Sequence, residues 1–95
     1  MANKYELMVI FSPVLGEEGI ASVSEAITAK IAAAGTVDNT QALGMKRLAY
    51  EINDQKEGFY LQVNFTADAD LPKEIERVLK ITEGVLRFLI IRIEE

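Results

Sequence analysis

The fold is decided by a stretch that reads Phe59-Tyr60-Leu61-Gln62-Val63-Asn64-Phe65-Thr66. Large apolar side chains alternate along it with mostly polar ones, which predicts a strand with one buried and one open face. A second strand-like segment, Thr36 to Ile52, precedes it, and the residues from Asn53 to Gly58 predict a polar turn between the two. Together they predict a hairpin whose first strand is bulged or interrupted near Gly44.

The segments on either side of this hairpin each contain one strand and one helix. Tyr5 to Phe11 and Val85 to Ile93 are strand-like. Apolar residues at helical spacing predict helices from Glu17 to Ala34 and from Asp70 up to Gly84. Gly35 is predicted to end the first helix in a left-handed conformation, and Asp70 to cap the second.

The order β-α-β-β-α-β within 95 residues predicts a single domain, residues 1–95, of the α+β class. It corresponds to the ferredoxin-like arrangement, a four-stranded antiparallel sheet in the order 4-1-3-2 with two helices on one face. Because this fold carries many functions, the function has to be argued from surface residues.

Composition narrows the possible chemistry. The chain is 49% hydrophobic and 26% charged, as in ordinary soluble proteins. It has no Cys and no His, which excludes disulfides, thiol chemistry, the usual zinc sites and imidazole catalysis. We predict no catalytic residue, no metal site and no cofactor. No apolar run approaches the ~20 residues of a membrane span, and no signal region precedes the first strand, so a cytoplasmic protein is expected.

The face of the sheet without helices should be polar unless a partner covers it. Strand three agrees with this, but strands one and four are apolar on both parities. In the 4-1-3-2 order these two strands are neighbours, and strand four is an edge strand. An apolar patch that forms a protein interface is therefore predicted. Its residues are Met8, Ile10, Leu89 and Ile91, with Tyr60 facing outward beside them.

The net charge of −5 argues against nucleic acid as the sole partner, since proteins that bind phosphates unaided usually carry a basic excess. Half of the Lys and Arg residues nevertheless fall on or beside strands, whereas many acids fall on helices. These strand cations are Lys4, Lys46, Arg47, Arg87 and Arg92. Lys46 and Arg47 are consecutive, so they should point to opposite faces unless a bulge at Gly44 re-aims one of them.

The third strand excludes an RNA-recognition motif. That motif requires aromatic side chains at alternate open-face positions, with Gly or Ala between them. Here Tyr60 occupies the small-residue position, and Phe59 and Leu61 have the parity of the core. Only Tyr60 faces outward, so the platform on which bases would stack is missing.

Several motifs, in order along nearly the whole chain, resemble the bacterial small-subunit ribosomal protein six family. They are Tyr5-Glu6, Gly44 with Lys46-Arg47-Leu48-Ala49-Tyr50-x-Ile52, Gly58-x-Tyr60, and Val85-Leu86-Arg87. A strand requires only alternation, so the paired cations and the preceding Gly go beyond what folding needs. The chain departs from many relatives at Glu51, where they have Pro, and at Leu43, where they have Trp.

The resemblance implies a non-enzymatic structural protein of the small ribosomal subunit. Members assemble onto the central domain of small-subunit ribosomal RNA together with the basic small-subunit protein eighteen. That partner would cover the apolar patch and supply most of the positive charge. By the match, RNA contacts are expected at Lys46, Arg47, Arg87 and Arg92, with Lys4 and Tyr5 on the rim.

Two other functions are compatible with this topology. Acylphosphatases share it, but their chemistry needs an Arg in a Gly-rich phosphate cradle after strand one, and the loop Ser12-Pro13-Val14-Leu15-Gly16 has none. A small-molecule regulatory module of the ACT-like kind is the stronger alternative, with the apolar patch as a homodimer interface. Such a module should dimerise alone, whereas a ribosomal protein should await its partner as a monomer.

Overall fold

The computed structural model describes residues 3–52 and 55–93. Its elements are, in order, β1 (Asn3–Phe11), a 3-10 turn (Pro13–Leu15), α1 (Gly16–Ala34), β2 (Thr36–Ile52), β3 (Gln55–Ala67), α2 (Asp70–Ile81) and β4 (Val85–Ile93). The predicted order of strands and helices is confirmed.

The four strands form one antiparallel sheet in the order β2-β3-β1-β4, which is the predicted 4-1-3-2 order counted from the other edge. The central strand β1 pairs with β3 from Asn3↔Ala67 to Phe11↔Phe59. On its other side β1 pairs with β4 from Lys4↔Ile93 to Phe11↔Val85. Within the described residues β4 has no second neighbouring strand, so it is an edge strand of the sheet.

Strict alternation in β1 and β3 builds one side of the core. Alternate residues from Tyr5 to Phe11 in β1 and from Leu61 to Ala67 in β3 are buried against the helices: Tyr5, Leu7, Val9 and Phe11, and Leu61, Val63, Phe65 and Ala67. The Tyr5 ring stacks on Phe65 with centroids 5.4 Å apart. The two helices complete the core with apolar residues on one stripe each: Ile20, Ile27 and Ile31 in α1, and Leu71, Ile75 and Leu79 in α2.

The second helix begins differently from the sequence prediction. Asp70 is the first helical residue, and Ala69 occupies the N-cap position without a side-chain hydrogen bond. Asp70 therefore acts through its charge in the first turn, where the helix dipole favours an acid. At the other end Thr82 closes the helix by donating its backbone N–H to the Leu79 carbonyl at 3.3 Å.

The first helix also ends differently. Gly35 was expected to adopt a left-handed conformation, but its φ of −163° is extended backbone that any residue can adopt. The reason for Gly here is space. A Cβ at Gly35 would lie 2.5 Å from the Thr66 carbonyl oxygen, on the strand that passes beside it.

The hairpin carries the predicted bulge. The β2–β3 register shifts between Ala42 and Gly44, and Gly44 has a φ of 89°. A further shift lies between Val37 and Asn39. Since β1 ends opposite Phe59, the remainder of the hairpin extends past β1. The predicted turn from Asn53 to Gly58 is shorter than expected, because β3 begins at Gln55, which pairs with Ile52; Asn53 and Asp54 lie outside the described residues.

Candidate nucleic-acid and protein interface

The helices cover one face of the sheet and leave the other uncovered, and we call the uncovered side the open face. In an antiparallel sheet, directly paired residues point to the same face, so the registers assign each paired strand residue to one side. By this assignment all five predicted interface residues lie on the open face: Met8, Ile10, Tyr60, Leu89 and Ile91. The structure thus brings them together, and their role as an interface stays a prediction.

An apolar patch occupies the half of the open face formed by β1 and β4. Its residues are Met8, Ile10, Leu89, Ile91 and Ile93, and we call this set the open-face patch. Met8 lies directly opposite Leu89, and a shallow cleft of about 400 Å³ opens beside them. Leu89 and Ile91 are 57% and 47% exposed. Large apolar side chains this exposed, adjacent to one another and beside an open sheet edge, indicate a surface that another molecule covers.

Two residues of this surface were missed by the sequence prediction. Ile93 continues the alternation of Leu89 and Ile91, so the period of two in β4 was a sufficient signal. Leu48 is buried although it lies on the open face, because its side chain lies over Gly58. A Cβ at Gly58 would be 3.5 Å from Leu48 Cδ2 and would overlap Ile10 Cγ2. Side chains of β1 and β2 thus both approach Gly58 of β3, an arrangement that depends on the register of three strands.

The other half of the open face is polar and internally hydrogen-bonded. Gln62 Nε2 donates to Glu6 Oε1 at 2.6 Å and to Asn64 Oδ1 at 3.2 Å. At the β2 edge, Thr66 Oγ1 donates to Asp38 Oδ2 at 2.6 Å. The open face is therefore divided along β1, with an apolar half toward β4 and a polar half toward β2.

Three of the predicted RNA-binding cations share the open face with the patch. Arg87 is directly opposite Ile10, which in turn is opposite Tyr60, so these residues form one row across β4, β1 and β3. Lys46 completes the row, with its Nζ 5.7 Å from the centroid of the Tyr60 ring, a cation–π contact. Lys4 lies at the opposite end of the patch, beside Ile93. The apolar surface is thus bracketed by positive charge at both ends.

The other three predicted RNA-binding residues have the opposite parity. The bulge at Gly44 precedes both cations of the Lys46-Arg47 pair, so they alternate normally and Arg47 lies on the far side from Lys46. Arg92 Nη2 donates to Asn3 Oδ1 at 2.9 Å, and Asn3 Nδ2 donates to the Tyr5 hydroxyl at 3.3 Å. The Tyr5 ring itself is buried in the core, so only its hydroxyl end reaches this rim.

A larger cleft of about 630 Å³ lies on the helix side, between α1 and the hairpin. Its walls include Ile20, Met45, Phe59 and Leu61, and none of the predicted site residues lines it. Among the described residues, no cluster of acidic side chains has the arrangement of a metal site. Nor do the described helices include one long and apolar enough to cross a bilayer. The open face is the candidate functional surface because the predicted interface residues lie together on it.

Known proteins resemble this chain over nearly its whole length. The family described as ribosomal protein S6 matches residues 4–92 of the chain. Small ribosomal subunit protein bS6 of Clostridium botulinum (strain 657) is 47% identical over 90 residues, covering 94% of this chain and 96% of that protein. The bS6 protein of Alkaliphilus oremlandii is 46% identical over 93 residues, covering 98% and 99%.

A solved structure gives the same result for the fold. The crystal structure of 30S ribosomal protein S6 from Thermotoga maritima superposes with a TM-score of 0.92 at 28% identity, covering 98% of this chain and 89% of that one. The family match covers the hairpin and both helices. Of the residues named for the candidate surface, Ile93 lies just outside the matched range. The chain belongs to the ribosomal protein S6 family.

Proposed function

We propose that this protein is a structural constituent of the small ribosomal subunit that binds the central domain of the ribosomal RNA as a pair with small-subunit protein eighteen. It acts on the ribosome, in the cytoplasm, and performs no catalysis. Membership of the ribosomal protein S6 family supports the structural role. The RNA target and the protein partner come from the family resemblance, and the open face supports them on physical grounds.

The observation that carries the proposal is the combination of an exposed apolar patch with flanking cations in an acidic chain. A net charge of −5 makes tight binding to phosphates unfavourable for the chain alone. A basic partner seated on the open-face patch would bury Leu89 and Ile91 and would supply the missing positive charge. Lys46 and Arg87 at one end of the patch, and Lys4 at the other, would then flank the joint surface.

The proposed contacts differ in what each side chain offers. Arg87, Arg47 and Arg92 suit phosphate because the planar guanidinium donates two parallel hydrogen bonds. Lys4 and Lys46 act as point charges. Since its ring is buried, Tyr5 contributes by holding Asn3, which accepts from Arg92.

A small-molecule regulatory homodimer is the second candidate, favoured by the open β4 edge and the patch beside it. In that case two copies would cover each other's patches. Sedimentation of the isolated protein separates the two proposals, because a regulatory module sediments as a dimer and the proposed ribosomal protein as a monomer. The family match favours the ribosomal proposal.

The deciding experiment is binding to a labelled central-domain fragment of small-subunit ribosomal RNA, with and without protein eighteen, at two salt concentrations. We expect tight, salt-sensitive binding only when both proteins are present, because the basic partner contributes most of the phosphate neutralisation. Tight binding by this chain alone would show that its own cations suffice. Absence of binding in both cases, together with a stable homodimer, would overturn the ribosomal proposal.

A further inference from the structure

Glu6 lies at the centre of the open face, where the apolar half meets the polar half. It is the next open-face residue to Met8 along β1, and its cross-strand neighbours are Ile91 on β4 and Asn64 on β3. Its side chain is half-buried. A partner that covers the open-face patch therefore covers this carboxylate as well, and removes water from it.

The Glu6 carboxylate is oriented by a hydrogen bond from a neutral amide. The Gln62 amide donates to Glu6 Oε1 at 2.6 Å and to Asn64 Oδ1 at 3.2 Å, which uses both of its hydrogens. An amide orients a carboxylate but does not balance its charge. When a partner excludes water, an ionised group that lacks a counter-charge destabilises the complex strongly.

We propose that Glu6 selects the basic protein partner by receiving a Lys or Arg side chain from it at the border of the open-face patch. This inference rests on the proposed function and adds a specificity determinant to it. A cationic partner satisfies the oriented carboxylate within a desolvated interface. An apolar surface without a cation at this position leaves the carboxylate buried and unbalanced, so Glu6 also rejects wrong partners.

Lys4 offers a competing explanation within the chain. It lies two residues before Glu6 on the same strand and face, and it is exposed. If Lys4 supplied the counter-charge to Glu6, the partner would not need to do so. The test therefore includes variants at both positions.

The experiment measures the affinity and dissociation rate of protein eighteen for the full chain without RNA. We expect Glu6→Gln to weaken binding by about tenfold or more, mainly through faster dissociation, because a desolvated charge pair acts on the lifetime of a complex. Asp38→Asn is the matched control. It removes the same charge from the same face, but at the β2 edge, where Asp38 accepts from Thr66. Its effect is expected to stay within about twofold, as for a charge outside the interface core.

Three outcomes overturn the inference. Equal effects of Glu6→Gln and Asp38→Asn would show that only the overall charge matters. A loss for Lys4→Gln as large as that for Glu6→Gln would assign the counter-charge to Lys4. Failure of the unmodified protein to bind protein eighteen would overturn both the partnership and the inference. The first two results would overturn only the role of Glu6 and leave the partnership standing.

Thermal unfolding of each variant checks that the fold is intact. Gln62→Met provides a second variant in case Glu6→Gln is unstable, since it leaves Glu6 charged but removes the amide that orients it. We expect Gln62→Met to weaken binding in the same direction by a smaller factor. If Gln62→Met left the affinity for protein eighteen unchanged, the orientation of the Glu6 carboxylate would play no part in binding, which would count against the inference.

Discussion

At Gly35 the chain passes so close to β3 that only a hydrogen atom fits. A Cβ there would lie 2.5 Å from the Thr66 carbonyl oxygen and 2.9 Å from Ala67 Cβ. Because the backbone is extended, a larger residue meets no conformational penalty, and the effect of Gly35→Ala is steric alone. The sheet fixes the position of the carbonyl. We expect a loss of roughly 2–3 kcal/mol in the free energy of unfolding, measured by urea denaturation.

Gly44→Ala is the control for Gly35→Ala. A Cβ at Gly44 would meet no atom within 4 Å, but the φ of 89° is left-handed, so the substitution introduces strain without overlap. A loss of about 1 kcal/mol is expected for an L residue in this region. A smaller loss at Gly35 than at Gly44 would show that α1 and β3 can move apart.

These residues also show what the sequence could and could not predict. The position of Gly35 after a helix was visible, but its purpose depends on Thr66, which is distant in the chain. The same limit applies to Leu48, whose burial depends on Gly58 and on the register between strands. By contrast, the open-face positions of Met8 and Leu89 were predictable, because alternation along one strand and the strand order determine them.

Elements were predicted more fully than individual contacts. The alternation in β3 and the helical spacing in α1 are local patterns, and both continue over enough residues to fix the element type. The ends were less accurate. β3 begins at Gln55, within a segment expected to be a turn, because backbone pairing with β2 organises residues that are polar in composition.

An ion pair links the two helices on the covered side of the sheet. Glu74 of α2 contacts Arg77 within its own helix, with 3.2 Å between Glu74 Oε2 and Arg77 Nε, and Lys30 of α1 at 3.3 Å. Hydrogen bonds from Arg77 and then from Lys30 lower the pKa of Glu74 from 4.5 to about 2. Glu74 therefore binds α1 to α2 only while it is ionised.

The sign of the pH dependence follows from this direction. A carboxylate whose pKa is lowered in the folded state stabilises the protein above the unfolded pKa, and the stabilisation is lost as pH falls from about 4.5 through about 2. We expect Glu74→Gln to be less stable than the unmodified protein at neutral pH, and the difference to disappear across this range. The effect will be small, because the pair is exposed to solvent. Melting temperatures between pH 7 and pH 2 measure it.

Glu76→Gln serves as the comparison for Glu74→Gln. Glu76 pairs with Lys80 at 3.0 Å within α2, so this ion pair does not link the two helices. If the pH-dependent loss of stability were as large for Glu76→Gln as for Glu74→Gln, the ion pair between α1 and α2 would stabilise the protein no more than an ion pair within one helix.

The edge strand β4 carries the largest exposed part of the patch. Leu89 is 57% exposed, so Leu89→Gln removes little buried area, and the free energy of unfolding should change by no more than about 0.5 kcal/mol. Binding of protein eighteen should weaken by about tenfold or more, because apolar side chains near the centre of an interface contribute most of its energy. Calorimetric titration measures the affinity, and urea denaturation measures the stability.

Ile81→Gln is the matched control for Leu89→Gln. Ile81 is 72% exposed but lies at the end of α2, away from the open face. It should affect neither stability nor binding. Equal losses of binding for the two variants would remove the open-face patch from the proposed interface.

At the scale of the whole molecule, charge is distributed unevenly over an acidic chain. The net charge is −5, yet Lys46 and Arg87 bracket Ile10 and Tyr60 on one face, while Arg47 and Arg92 have the opposite parity. Because the two sets lie on opposite faces of the sheet, one stretch of RNA backbone cannot contact both equally well. The set beside the open-face patch would lie next to the basic partner, where phosphates are already held.

Two charge-matched double variants test this asymmetry in the assembled complex of RNA, protein eighteen and this chain. Each variant removes two positive charges: Lys46→Gln with Arg87→Gln, or Arg47→Gln with Arg92→Gln. For the first pair we expect weaker RNA binding and a slope of log affinity against log salt that is less steep by up to about 1.8, since each phosphate contact contributes about 0.9. For the second pair we expect a change of less than half that slope. Equal effects would mean that RNA contacts both faces, and no effect from the first pair would show that the cations beside the patch stay in solvent.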